Sequence, residues 1–232
     1  MLVARREDRL RALAEEIGAA EIGAAEIEPC DVSDRVAVER MAAAVRERHP
    51  AVQLLVNNAG IPGRRGFVAV DTETLERVLR TNYLGNVWCL RSLLPALEAA
   101  GRADVVNIVS VAGTVAFAPS GPYSASKHAQ LAFSRSVTAE LRPRGIHVHT
   151  VNPGFVETEG FPQRAALRNP LLRRLVIDPE DVARAVLRAL DHDRREIFVP
   201  RFFRIAFIAQ ALLPGLVGRL SSRSGYRPTI QP

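Results

Sequence analysis

Gln53-Leu54-Leu55-Val56-Asn57-Asn58-Ala59-Gly60 decides the fold. A short apolar run ends in two amides and two small residues. Apolar side chains on successive positions mean that a strand here is covered on both faces. The pattern recurs along the chain. Asp104 to Ser110 is a valine-rich strand, and Ile146 to Val151 is another that ends at Asn152-Pro153-Gly154. Ile27 to Cys30 and Glu196 to Val199 are shorter runs, and Leu2-Val3-Ala4 reads as the tail of a strand. Helical periodicity fills the gaps. It covers Glu7 to Ile17, a segment capped by Ser33 or Asp34 that runs to about Arg48, a long helix (continuous or broken) from about Thr74 to Ala99, and Tyr123 to Leu141. Asp178-Pro179-Glu180 opens one more, to about Leu190, with proline in its first turn. Covered strands alternating with helices predict an α/β fold with a doubly wound parallel sheet.

The totals bound the function. The 232 residues carry a net charge of +6, and about half are apolar. That suffices for one core, placed at 1–200, followed by an apolar extension at 201–232. Arginine pairs such as Arg5-Arg6 and Arg64-Arg65 are dispersed, so no basic block marks a nucleic-acid partner. Cys30 and Cys89 are isolated and read as buried thiols of a reducing compartment. There is no signal-peptide pattern and no apolar run of membrane-spanning length, so a cytoplasmic location is expected. A tandem repeat, Gly-Ala-Ala-Glu-Ile at 18–22 and 23–27, lengthens the first helix or its exit loop. The stretch 202–220 is apolar nearly all round and is flanked by Arg201, Arg204 and Arg219. It suits either a buried contact (with a second copy or the substrate site) or a peripheral membrane contact.

Thirty arginines stand against a single lysine, Lys127, four residues after Tyr123. On a helix these two share a face. An ammonium there stabilises tyrosinate, which would make Tyr123 a general acid or base near neutral pH. The competing reading is a surface pair on an amphipathic helix. Parallel sheets carry their sites at the carboxyl ends of strands. Asn57-Asn58-Ala59-Gly60, Ser110, the Tyr123 helix start and Asn152-Pro153-Gly154 all fall there. Ser110 and Tyr123 could both reach one carbonyl oxygen, the serine positioning it and the tyrosine passing it a proton.

In this combination the chain resembles the short-chain dehydrogenase/reductase family over nearly all of residues 1–200. The matching elements are Asn57-Asn58-Ala59-Gly60, Asn82 within Thr81-Asn82-Tyr83-Leu84-Gly85, Ser110, Tyr123 with Lys127, and Pro153-Gly154 followed by Val156 and Thr158. The resemblance implies a Rossmann-like, single-domain NAD(P)-dependent oxidoreductase. It would move hydride between the cofactor and an alcohol or carbonyl substrate, with Asn82, Ser110, Tyr123 and Lys127 as catalytic tetrad. Lys127 would hold the nicotinamide ribose, and Asn82 a water that links Lys127 to solvent. Asn58, Ala59, Gly60, Pro153, Gly154, Val156 and Thr158 would line the cofactor site, and Asp31-Val32 would meet the adenine. Arg5 and Arg6, with no acid before Glu7, suit a 2′-phosphate, which favours NADP, with NAD as the alternative. The loop from Phe155 to Ile177, with Phe155, Phe161, Leu167 and Leu171, suits an apolar substrate. Family members assemble as homo-oligomers through the two long helices, here about 74–99 and 123–142.

The family's Gly-rich turn, its first strand and the following helix have no counterpart in the sequence. Met1 is therefore expected not to be the natural start, with about thirty to forty residues upstream. An N-terminally incomplete chain predicts weak dinucleotide binding, and a second reading is an inactive member acting as an interaction protein. His147 and His149 share a strand face without a third ligand, so they read as structural and no metal is expected. His49 and His192 read as solvent-side helix-end residues, His128 as helix surface or a dimer contact, Trp88 and Phe133 as packing, and Glu157 and Glu159 as solvated loop carboxylates.

Overall fold

The structure, a computed structural model, describes residues 1–20, 24–63, 66–116, 118–167 and 170–223. Arg64-Arg65 and the middle of the tandem repeat lie outside the described residues. The chain begins with β1 (Leu2–Ala4), α1 (Glu7–Ala19), β2 (Ile27–Pro29), α2 (Arg35–Arg48) and β3 (Leu54–Asn57). Next come α3 (Thr72–Leu79), a π-helical turn (Arg80–Leu84), α4 (Gly85–Ala99), β4 (Ala103–Ile108), α5 (Gly121–Leu141) and β5 (Ile146–Pro153). It ends with two single-turn helices α6 (Gln163–Ala166) and α7 (Pro170–Arg173), α8 (Pro179–Asp191), β6 (Glu196–Val199), α9 (Phe203–Leu212) and α10 (Pro214–Arg223).

Every ladder is parallel, as the two-sided apolar runs require. Neighbouring residues of β4 serve opposite faces: Val105 packs with Leu90, Leu141 and Ile146 under α4 and α5, while Val106 packs with Val151 and Ala185 under α8. The strands form a two-stranded sheet, β1-β2, and a separate four-stranded sheet in the order β3-β4-β5-β6. No ladder joins β1 to β3 among the described residues, so β3 pairs on one side only, and Leu54 and Val56 are 46% and 47% exposed. What ties the two parts is α2 against α4, where Val38, Met41, Val45, Cys89 and Leu93 bury one another beside Trp88.

Local boundaries follow local chemistry. Asp34 caps α2 by accepting from the Val36 and Ala37 amides. Asp71 caps α3, accepting from the Thr74 amide at 2.6 Å, so this helix starts two residues before its expected Thr74. The break in the long helix is the π-turn, which carries Asn82 into the interior. β4 stops at Ile108, leaving Ser110 to cap the next turn. α1 ends at Ala19, so the repeat adds only its first two residues to that helix. Pro214 opens α10, a first position where its missing N–H costs nothing.

Candidate active site

A buried polar ladder fixes the strand ends that carry the site. The Asn57 amide donates to Asn107 Oδ1 at 2.9 Å, Asn107 donates to Ser134 Oγ at 2.9 Å, and Ser134 meets Thr150 Oγ1 at 2.7 Å. This chain runs from β3 through β4 and α5 to β5, so the three strands and the helix cannot slip independently. Beyond β4, the Ser110 hydroxyl accepts from the Ala112 amide at 3.1 Å and lies 3.5 Å from the Pro153 carbonyl. The following turn packs directly on α5. A Cβ on Gly113 would sit 2.7 Å from the Lys127 carbonyl, so only glycine allows that approach.

Tyr123 and Lys127 lie in the first two turns of α5, with Lys127 Nζ 5.8 Å from the Tyr123 ring centroid. Phe161 packs beside the phenol, centroid to centroid 5.6 Å. Lys127 is 3% exposed and donates to the Ile108 carbonyl at 2.9 Å and to Gln130 Oε1 at 2.7 Å. Burial pulls its ammonium down from the ordinary 10.5 to about 7.

These groups open on a cavity of about 820 Å³. Ser110, Tyr123, Lys127, Asn58 and Gly60 line one part, with Pro153, Gly154, Val156 and Thr158 beside them. Most of the rest is apolar: Phe155, Leu167, Leu172 and Leu175 from the 155–177 loop, Val182, Val186 and Leu187 from α8, and Phe203 from α9. The side chain of Leu171 lies outside the described residues. Among the polar atoms of this wall, Gln163 Oε1 is buried without a hydrogen-bond partner.

Six expected site residues fall outside this lining: Arg5, Arg6, Asp31, Val32, Ala59 and Asn82. Asn82 is fully buried; its amide brackets the Ile61 backbone (2.8 and 3.0 Å) and donates to Ser126 Oγ at 3.0 Å. Its carbonyl accepts from Asn86 at 2.6 Å. It thus ties the turn after β3 to α5. Arg5 and Arg6 are exposed beyond β1, and Arg5 lies 3.8 Å from Asp31. Part-burial raises the Asp31 pKa, but the Ser33 hydroxyl and amide and the Arg5 guanidinium outweigh it and hold the carboxyl below its usual value. Val32 packs on Gly85, where a Cβ would come within 2.8 Å of its carbonyl. Gly154 lies under the Phe203 ring, which a Cβ there would overlap.

Sequence reasoning missed Gln130, Asn107 and Phe203. A glutamine three residues beyond Lys127, hence on its face, and an asparagine inside a valine strand were the available signals. Glu159 is exposed, as expected, and also makes a bidentate pair with Arg9 of α1 (2.5 and 3.0 Å). Glu157 accepts from the Arg164 amide. His147 meets Asp193, and His149 bridges Asp104 and the Arg194 carbonyl. Cys30 and Cys89 are buried, and desolvation pushes them up to about 11 and about 12. No helix of the described residues is long and apolar enough to cross a membrane.

Comparison with known proteins identifies the family. The short chain dehydrogenase family model matches residues 1–167. The chain is 33% identical to dehydrogenase/reductase SDR family member 7B of Xenopus laevis, covering 99% of this chain and 75% of that protein. It is 31% identical to epidermal retinol dehydrogenase 2 of Mus musculus, over 92% of this chain and 68% of that protein. A metagenomic short-chain oxidoreductase solved in complex with NADP superposes with a TM-score of 0.70 at 30% identity, covering 85% of this chain and 83% of that one. A short-chain dehydrogenase from Streptomyces avermitilis gives 0.76 at 29% identity, over 94% and 84% of the two chains. The chain therefore belongs to the short-chain dehydrogenase family, as an oxidoreductase acting on alcohol or carbonyl compounds with NAD(P).

Proposed function

We propose that this protein interconverts an apolar carbonyl compound and its alcohol using NADP(H), with Tyr123 as the acid/base. The observation that carries the reading is the meeting of Ser110, Tyr123 and a desolvated Lys127 at the head of a cavity whose remaining wall is mostly apolar. Bound NADP(H) supplies or accepts the hydride. The residues present suit its nicotinamide and adenosine ends, while the family's Gly-rich turn has no counterpart in the sequence. Asn58 and Gly60 leave an open, small-residue edge beside Tyr123 and Lys127. Arg5 and Arg6 are exposed cations that would take a 2′-phosphate. The metagenomic relative was solved with NADP, in line with that preference. NAD is the second reading, favoured by Asp31, a carboxylate beside Arg5 that could accept from a free ribose hydroxyl.

In this reading Ser110 Oγ orients the substrate oxygen, and Tyr123 passes a proton between its phenol and that oxygen. An ammonium has three donors. Lys127 spends two on Ile108 and Gln130, and the third is available to a ribose hydroxyl or to Tyr123. Asn82 holds the turn after β3 in register with α5. Val156 and Thr158, with Pro153 and Gly154, form the cavity edge facing the cofactor. Asp31 and Val32 meet the adenine from the β2 end. Residues 1–200 are read as the catalytic unit and 201–232 as an extension. Its exposed Ile205, Ile208, Leu212, Leu213 and Leu216, beside Arg201 and Arg204, suit a lipid surface. Cosedimentation with anionic vesicles, with and without 201–232, tests that part. A second copy of the chain packed on α4 and α5 belongs to the same reading.

The deciding experiment measures NADPH oxidation by the natural protein against a panel of apolar ketones and aldehydes, with Tyr123→Phe as control. Turnover that survives Tyr123→Phe overturns the mechanism. No turnover, with NADPH binding absent, would leave an interaction protein.

A further inference from the structure

Gln130 is a polar side chain with no exposed surface on the inner face of α5, one turn from Lys127. Buried amides persist when each end is answered. Here Oε1 accepts from Lys127 Nζ at 2.7 Å, and Nε2 reaches the Ile108 carbonyl at 3.3 Å. That carbonyl also accepts from Lys127 at 2.9 Å. The three groups close a triangle that joins α5 to the last residue of β4, two residues before Ser110. We infer that Gln130 is a positioning residue for Lys127, holding its ammonium against the end of β4 with a neutral acceptor.

Neutrality is the point of choosing an amide. A glutamate at 130 would make the same contact, but its charge would fix the proton on the lysine. The group that Lys127 Nζ meets on β4, the Ile108 carbonyl, is uncharged, as are Gly113 of the following turn, which packs on the lysine's backbone carbonyl, and Ser110, which lines the same cavity. Tyr123 of its own helix is the titratable neighbour. Burial is the cause that moves the ammonium, with no charged partner opposing it. Gln130 therefore orients the amine without taking away its capacity to exchange a proton. This role rests on Lys127 being a working group of the proposed reaction.

Because the chain has one lysine, protein grown with lysine labelled with carbon-13 at the ε position gives one resonance, and its titration reads Lys127 directly. The wild type is expected to titrate at about 7. Gln130→Glu is expected to raise that midpoint by about 1–3 pH units. Gln130→Leu is expected to lower it, since burial remains while an acceptor of the charged form is lost. Should Gln130→Leu fail to fold, Gln130→Asn, whose amide is too short to reach Nζ, makes the same comparison. Midpoints equal to wild type in Gln130→Glu and in the shortened or apolar variant would overturn the inference. In carbonyl reduction by NADPH, the kcat profile of Gln130→Glu should move with the resonance. A kcat profile that stays in place while the resonance moves would overturn the role in the reaction. Resonances that move as expected, with no turnover even in the wild type, would sink the oxidoreductase reading while leaving the contact established.

Discussion

Replacing Lys127 with methionine isolates what the fold spends to keep an amine in its interior. The folded-state value of about 7 lies below the ordinary 10.5. Between those two values the unfolded chain binds the proton that the folded chain has released. Wild-type stability therefore rises with pH across that window, and the penalty for burial is complete below it. At about 1.4 kcal/mol per pH unit, the wild type should gain roughly 4 kcal/mol from this group between about pH 6 and about pH 10. The bonds to Ile108 and Gln130 favour the charged form, so about 2–4 kcal/mol is the expected range. Lys127→Met lacks this gain, and every other titrating group is common to both proteins. Urea unfolding followed by circular dichroism at several pH values gives both stabilities. Methionine should stabilise the protein most at the acid end, and its advantage should shrink as pH rises. A difference that stays constant across the range would mean that the amine is hydrated or paired in the fold. The proton relay built on it would then fail.

Four other outcomes are expected. Tyr123→Phe should lower carbonyl reduction about 10²–10⁴-fold while fluorescence titration still detects NADPH binding. Replacing Arg5 and Arg6 together with alanine should lower the NADPH-over-NADH ratio of kcat/KM by about 10–100-fold, the loss of charge-assisted phosphate bonds. Gly154→Ala should destabilise by about 1–3 kcal/mol in thermal or urea melts, and the penalty should vanish in a Phe203→Ala background, because that ring is what the new methyl meets. The Cys89 thiol, held up at about 12 by burial, should react with an aromatic disulfide reagent only after unfolding.

Much of this was legible in the sequence because its signals are local. Valines at 105 and 106, serving opposite faces, announce a covered parallel strand, and the Tyr123–Lys127 spacing needs only a helix to bring the pair together. That the strands end beside the site follows from the parallel arrangement, although β4 stops at Ile108, short of the expected Ser110, and β5 runs on to Pro153, past the expected Val151. What escaped depends on contacts distant in sequence. Nothing about Glu159 alone says that Arg9, 150 residues earlier, waits for it. Phe203 reads as one aromatic in a greasy tail until α9 lays it over Gly154 in the cavity wall. Asn82 matches a motif, but the motif says nothing of the π-turn that turns its amide toward Ile61. The separation into two sheets is a property of pairing, and no single strand's composition encodes whom it pairs with.

That separation has a mechanical corollary. Arg5 and Arg6 ride on the small sheet, and Lys127 is anchored to the large one; the apolar seam between α2 and α4 sets the span between them. Under the proposed function these two ends would hold one cofactor, and loosening the seam, for instance at Met41 or Leu93, would let them drift apart while each stays intact. A long ligand held at both ends would act as a strut across the joint, stiffening the molecule in proportion to how firmly it is held.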